Sequence, residues 1–156
     1  MMSFEITRLC REHLAGAAEL EEKCFSSPWS ARALELLLGE DAFGVVCLQN
    51  GAVAAYGGMT FALDEASVTN IAVHPDLRRQ GLGRAILDGL LQAAVAHGSR
   101  ELFLEVRVSN GAAIALYESA GFETVGRRKG FYRAPTEDAL IMKKTLSADA
   151  ESAERI

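Results

Sequence analysis

The sequence predicts an α/β or α+β sandwich, with a sheet of about seven strands covered by four helices. Three observations carry this. Several short apolar runs have strand length and are bounded by Gly, Pro or Asn turn signals. Longer segments repeat apolar residues at helical spacing. In mid-chain an apolar strand enters a proline turn and re-emerges at two glycines as a long amphipathic helix.

Residues 4–9 alternate weakly and read as the first strand. A helix over 11–25 follows, with Leu14, Ala17, Ala18 and Leu20 or Glu21 at helical spacing. The carboxylates Glu19, Glu21 and Glu22 on it read as ordinary solvated charge. Ser27-Pro28-Trp29-Ser30 breaks the helix, and Ser30 can cap a short one over 31–38. Strands over 43–49 and 52–61 are joined by Asn50-Gly51, a strong two-residue hairpin signal. Gly57-Gly58 inside the second strand marks a bulge or a close backbone approach. A strand over 66–73 enters the proline turn. The helix over 82–97 aligns Leu82, Ile86, Leu90 and Ala94 on one face and ends at Gly98. A strand over 102–106 has apolar residues on both faces and reads as central. A helix over 110–120 closes at Gly121, and strands over 122–127 and 139–144 finish the sheet. Residues 128–137, with Phe131-Tyr132 and Pro135, are expected to form a loop. Residues 1–146 are expected to make a single domain, and residues 147–156 a disordered tail.

Composition narrows the function. The chain has 156 residues, 49% of them hydrophobic, enough for a full core. No apolar run has transmembrane length, and Met1-Met2-Ser3-Phe4-Glu5 lacks the regions of a signal peptide. Cys10, Cys24 and Cys47 form neither a close pair nor a metal spacing and read as buried thiols in a reducing cytoplasm. The histidines are scattered too, so no metal is expected. A net charge of −5 argues against a nucleic-acid grip. Basic residues gather at Arg78, Arg79 and Arg84 and again at Arg127, Arg128, Lys129 and Arg133. Acidic ones gather at Glu19, Glu21, Glu22, Glu40 and Asp41. An anionic cofactor and a cationic substrate suit this split.

The passage Ile71-Ala72-Val73-His74-Pro75-Asp76-Leu77-Arg78-Arg79-Gln80-Gly81-Leu82-Gly83-Arg84 is a place for a phosphate. A helix start has free N–H groups and partial positive charge, glycines permit close approach, and arginines add charge-assisted hydrogen bonds. The P-loop pattern is absent, and Ile86 stands where a dinucleotide fingerprint needs its third glycine. What remains is Arg-x-x-Gly-x-Gly-Arg with Gln80 before the first glycine.

That loop resembles the pyrophosphate loop of the GNAT N-acetyltransferases, which bind acetyl-coenzyme A. The runs Leu104-Glu105-Val106-Arg107-Val108-Ser109-Asn110 and Ala115-Leu116-Tyr117-Glu118-Ser119-Ala120-Gly121-Phe122 resemble its ribosomal-protein-alanine N-acetyltransferase branch. So do Pro28-Trp29-Ser30, Leu63-Asp64-Glu65-Ala66, Asn70-Ile71-Ala72-Val73 and Glu137-Asp138-Ala139-Leu140-Ile141-Met142. The resemblance implies a mostly antiparallel GNAT sheet and acetyl transfer to a protein N-terminus, in that branch the alanine of small-subunit ribosomal protein eighteen. It also implies cofactor contacts along Ile71, Ala72 and Val73, from Arg78, Arg79, Gln80, Gly81, Leu82, Gly83 and Arg84, and from Asn110. Backbone N–H groups near Ala72 and Val73 would polarise the thioester carbonyl, Glu105 would be the general base and Tyr117 the general acid.

The chemistry suits these residue types. An α-amine has a pKa near 8 against about 10.4 for lysine, so roughly a tenth of it is already neutral at pH 7. A modest base such as Glu105 then suffices, if partial burial raises its pKa. The competing reading pairs Glu105 with Arg107, two residues on along the same strand face. Asn110, Ile114 and Tyr117 share one helix face, which suits a donor to the cofactor and a phenol aimed at its sulfur. The competing reading makes Tyr117 a core aromatic. Trp29, Phe131 and Tyr132 are candidates to line a peptide groove, Trp29 equally an anchor for the short helix. His74, before Pro75, is expected to be structural. Phe131 stands where the branch has the first of two tyrosines, which bears on the substrate more than on the reaction. Acetylation of lysine or a small amine, and a non-catalytic acyl-coenzyme A sensor, are the alternatives. The chain is expected to work as a cytoplasmic monomer, without nucleic acid or membrane.

Overall fold

A computed structural model describes residues 3–146, so the expected tail at 147–156 lies outside the described residues. Seven strands form one mixed sheet in the order β1-β2-β3-β4-β5-β7-β6. They are β1 (Phe4–Arg8), β2 (Ala42–Gln49), β3 (Ala52–Ala62), β4 (Glu65–Val73), β5 (Glu101–Arg107), β6 (Glu123–Tyr132) and β7 (Glu137–Thr145). Four helices accompany them: α1 (Leu14–Cys24), α2 (Ala31–Leu34), α3 (Leu82–His97) and α4 (Gly111–Ser119). By contact the chain divides into two compact units. One runs to Thr60 and takes up Val68–Ala93; the other holds Phe61–Ser67 and the chain from Ala94 on.

In the first unit β1 pairs antiparallel with β2, and β2 with β3. The turn between β2 and β3 has positive φ at both Asn50 and Gly51, the twist that a two-residue hairpin demands. The bulge falls elsewhere than at Gly57-Gly58. The ladder slips between Cys47 and Leu48, leaving Ala54 unopposed. The two glycines mark close approaches instead. A Cβ on Gly57 would lie 2.5 Å from Ile86 Cγ2, and one on Gly58 2.5 Å from Leu37 Cδ1. Neighbouring strand residues face opposite ways, so α3 packs on one face here and the α2 region on the other. The core under α1 and α2 is built from Leu9, Leu14, Ala17, Leu20, Leu34, Leu37, Val46 and Tyr56. Of the three cysteines expected to be buried, Cys47 is, Cys24 is half-buried and Cys10, just after β1, is exposed. The predicted helix over 11–25 begins as a 3-10 turn, Arg11–His13, because His13 Nδ1 accepts the Cys10 N–H at 2.9 Å. Ser30 caps α2 as expected, through the Ala33 N–H at 3.1 Å, and a 3-10 turn, Glu35–Leu38, extends it.

In the second unit the parallel ladder of β4 and β5 is short, from Glu65 opposite Glu101 to Ser67 opposite Phe103. β7 lies antiparallel between β5 and β6. β6 reaches Tyr132 and β7 begins at Glu137, so six of the ten residues of the expected loop over 128–137 are strand. The reason is local. Gly130 has a φ of 61° and sits where the ladder slips between Arg128 and Tyr132. Asp138 accepts from the Gly130 N–H at 2.9 Å and from Arg127 Nε at 2.7 Å. A glycine that reads as a break is absorbed as a stitched irregularity. None of the ten residues of β6 is buried.

Candidate active site

The loop after β4 lies in the first unit. His74 is structural, as expected: its Nδ1 accepts the Asp76 N–H at 3.1 Å and starts a 3-10 turn, Pro75–Leu77. Arg79 and Gly81 then take positive φ, 65° and 82°. Such a conformation is uncommon for a side-chain-bearing residue and costs on the order of 1–3 kcal/mol. A Cβ on Gly81 would meet nothing within 4 Å, so the space beside this turn is open. The first bond of α3 runs from the Ala85 N–H to the Gly81 carbonyl at 3.0 Å. The N–H groups that precede it have no earlier helical turn to serve. Arg78, Arg79, Gln80, Gly81 and Arg84 are exposed, while Leu82 is buried. Arg84 Nε pairs with Asp88 at 3.0 Å, and Arg78 Nη2 lies 3.8 Å from Cys24 Sγ. On β4, Ala72 is buried, with Ile71 and Val73 half-buried beside it.

Glu21 overturns the reading of Glu19 to Glu22 as solvated charge. Glu19 and Glu22 are exposed, but Glu21 is wholly buried. Its carboxylate accepts the Trp29 N–H at 2.9 Å, the amide of Asn70 at 3.0 Å and the hydroxyl of Tyr56. Burial pushes its carboxyl above the usual range against the pull of these donors. Burial and the adjacent Glu21 charge together push the Tyr56 phenol up as well. The signal was its place on the apolar stripe, four residues after Ala17 and seven after Leu14. Trp29 is half-buried against the core and also lines a shallow groove with Pro28, Ser30, Ala33 and Leu36. It thus has both the anchoring and the groove-lining placement.

A pH dependence follows. A carboxyl whose pKa is higher in the folded chain binds its proton preferentially there. The stability it contributes is complete below 4.5 and is lost as pH rises through the folded value. The wild-type urea midpoint should therefore fall from pH 4.5 toward neutrality relative to that of Glu21→Gln. Parallel curves for the two proteins would show that Glu21 has the same pKa in the folded and the unfolded chain.

In the second unit, Glu105 projects from β5 with its side chain 33% exposed and its Oε2 3.4 Å from Arg128 Nε. The competing pairing with Arg107 is not formed; Arg107 pairs with Glu137 at 3.1 Å. Same-face neighbours on a strand are about 7 Å apart, so partners on the adjoining hairpin come closer. Asn110 caps α4, its Oδ1 accepting the Ala113 N–H at 3.1 Å, which leaves the amide nitrogen as a donor. Tyr117, 8% exposed, packs its ring 5.8 Å from that of Phe122. Burial, with a smaller effect from Tyr132, pushes its phenol up to about 12. It stays protonated at neutral pH. Tyr132 is also pushed up to about 12, by burial first and then by the Glu105 charge. Tyr132 therefore lies within electrostatic reach of both Glu105 and Tyr117. Phe131, 42% exposed, meets Tyr132 edge to face at 5.0 Å.

Comparison with known proteins gives these placements a context. A family model described as the acetyltransferase (GNAT) family matches residues 14–122. The chain is 42% identical over 146 residues to the [ribosomal protein bS18]-alanine N-acetyltransferase of Escherichia coli strain K12, covering 91% of this chain and 97% of that one. It is 38% identical over 131 residues to a protein of Bacillus subtilis strain 168 described as a putative enzyme of the same name, covering 83% and 87%. The crystal structure of the ribosomal-protein-S18-alanine N-acetyltransferase from Escherichia coli superposes with a TM-score of 0.86 at 40% identity, over 92% of this chain and 94% of that one.

Proposed function

The chain belongs to the acetyltransferase (GNAT) family, and from that premise we propose that it acetylates the α-amine of a protein N-terminus, first of all the N-terminal alanine of ribosomal protein bS18. It is an acetyl-coenzyme A-dependent N-acetyltransferase. The observation that carries the substrate is 42% identity, over nearly the full length of both chains, to an enzyme named for that reaction. The family match runs through both compact units, which supports reading them as one catalytic domain. Among the described residues no helix is long and apolar enough to cross a membrane. A ribosomal target puts the reaction in the cytoplasm, and the chain acts on it as a monomer.

Acetyl-coenzyme A, when bound, supplies an activated acyl carbon and a thiolate leaving group. The open turn at Gly81 and the start of α3 suit its pyrophosphate. Arg78, Arg79 and Arg84 add positive charge, and Gln80, Leu82 and Gly83 complete the loop. The strand backbone at Ile71, Ala72 and Val73 offers donors for the carbonyl oxygen. Asn110, its oxygen already engaged, has its amide nitrogen for the pantetheine. Glu105 takes the amine proton through a water, and Tyr117 gives its proton to the departing sulfur. Trp29, Phe131 and Tyr132 are the apolar contacts for the peptide.

The test is coenzyme A release with N-terminal peptides, with blocked peptides carrying an internal lysine, and with small amines. N-terminal peptides should be much the better substrates, because about a tenth of their amine is neutral at pH 7 and well under 0.1% of a lysine is. In the same assay Glu105→Gln should show a deficit that is largest at neutral pH. The deficit should shrink as pH rises past about 8, where solvent supplies the neutral amine. Preferential lysine acetylation would remove the N-terminal assignment. A deficit independent of pH would make Glu105 a group that places the substrate.

A further inference from the structure

No residue of β6 is fully buried, and only Gly126 and Tyr132 are half-buried, so the core gives the end of this hairpin little hold. Something else must order the turn between Tyr132 and Glu137. The contacts converge on Arg107, the last residue of β5. Its Nη1 donates to the Pro135 carbonyl at 3.0 Å and to Glu137 Oε1 at 3.1 Å. Its Nη2 donates to the Arg133 carbonyl at 3.0 Å. The guanidinium carbon lies 4.5 Å from the centre of the Tyr132 ring. Glu137 in turn accepts the Ser109 N–H at 2.7 Å through Oε2, which ties the turn to the residue before the α4 cap.

We propose that Arg107 is a positioning residue: it fixes the β6–β7 turn so that Phe131 and Tyr132 form a rigid wall against the incoming peptide. The inference rests on the reading of those two aromatics as peptide contacts. It names what makes them useful. A planar guanidinium presents five donors in a fixed fork and stacks on a ring at the same time. Here it serves two carbonyls, a carboxylate and an aromatic face at once. Lysine keeps the charge but has neither the fork nor the flat face. A wall built this way is ordered before the substrate arrives, so the peptide need not order it.

Arg107→Lys is the test, with steady-state kinetics on an N-terminal bS18 peptide and amide hydrogen exchange on the full chain. The KM for the peptide should rise about tenfold while kcat and the KM for acetyl-coenzyme A stay within about twofold. Exchange at the amides of residues 131–137 should quicken while those of β5 and α4 keep their protection. Glu137→Gln, which keeps one acceptor oxygen and so serves either Arg107 or Ser109 but not both, should fall between wild type and Glu137→Ala. Phe131→Ala and Tyr132→Ala are measured alongside. If they raise the peptide KM and Arg107→Lys does not, the positioning role is wrong and the aromatic wall stands. If neither aromatic variant moves the peptide KM, the wall itself is wrong and the role of Arg107 falls with it. Equal losses in the KM for peptide and for acetyl-coenzyme A, with protection lost throughout the unit, would reduce Arg107 to general support of the fold.

Discussion

Gly81→Glu is expected to abolish acetyl-coenzyme A binding, with no measurable heat in a titration that saturates the wild type. The turn tolerates the new side chain sterically, since a Cβ there meets nothing within 4 Å. The backbone cost of a φ of 82° for a non-glycine residue is of order 1–2 kcal/mol, small enough to leave the chain folded. The added carboxylate, however, would occupy the opening proposed for the pyrophosphate, and would repel it. Gly81→Ala shares the backbone strain without the charge and should retain weakened binding. Undiminished affinity in Gly81→Glu would mean that the pyrophosphate is held elsewhere.

Tyr117→Phe is expected to lower turnover by roughly 10²–10⁴-fold, the range for loss of a general acid, with acetyl-coenzyme A affinity nearly intact. The substitution preserves the ring that packs against Phe122 and removes only the hydroxyl. A phenol pushed up to about 12 by burial carries its proton throughout the range in which the enzyme works. The wild-type rate should therefore show no alkaline loss from Tyr117 below that value. Single-turnover rates in the two proteins separate chemistry from product release. Agreement within a factor of two with chemistry rate-limiting would make Tyr117 a packing residue.

Much of this site is written locally. The strand–turn–helix passage ending in Arg84 can be read from neighbouring residues alone, since proline, two glycines and an apolar stripe each act within a turn or two. The same holds for Asn110 at the start of α4 and for the hairpin at Asn50-Gly51. What escaped the sequence depends on distant partners. Glu21 is buried because Tyr56 and Asn70, 35 and 49 residues away, supply its hydrogen bonds. Arg107 finds Glu137 thirty residues on, and so leaves Glu105 to Arg128. The extension of β6 past Gly130 depends on Asp138 from the facing strand. No period or cap within a short window encodes such pairings.

The outer edge of the sheet bears on how the protein behaves when it is crowded. An unpaired strand edge is a template for another strand, and chains that expose one risk building ribbons and precipitating. Among the described residues β6 is such an edge, ten residues long, as the shorter β1 is at the other end of the sheet. Three consecutive cations, Arg127, Arg128 and Lys129, stand on it, followed at once by the irregularity at Gly130. A strand arriving from another molecule would meet these long charged side chains, two of them already paired with Asp138 and Glu105, and then a kink that breaks its register. This edge is thereby a poor seed for aggregation, and the solubility of the enzyme should fall when those three side chains are replaced by apolar ones.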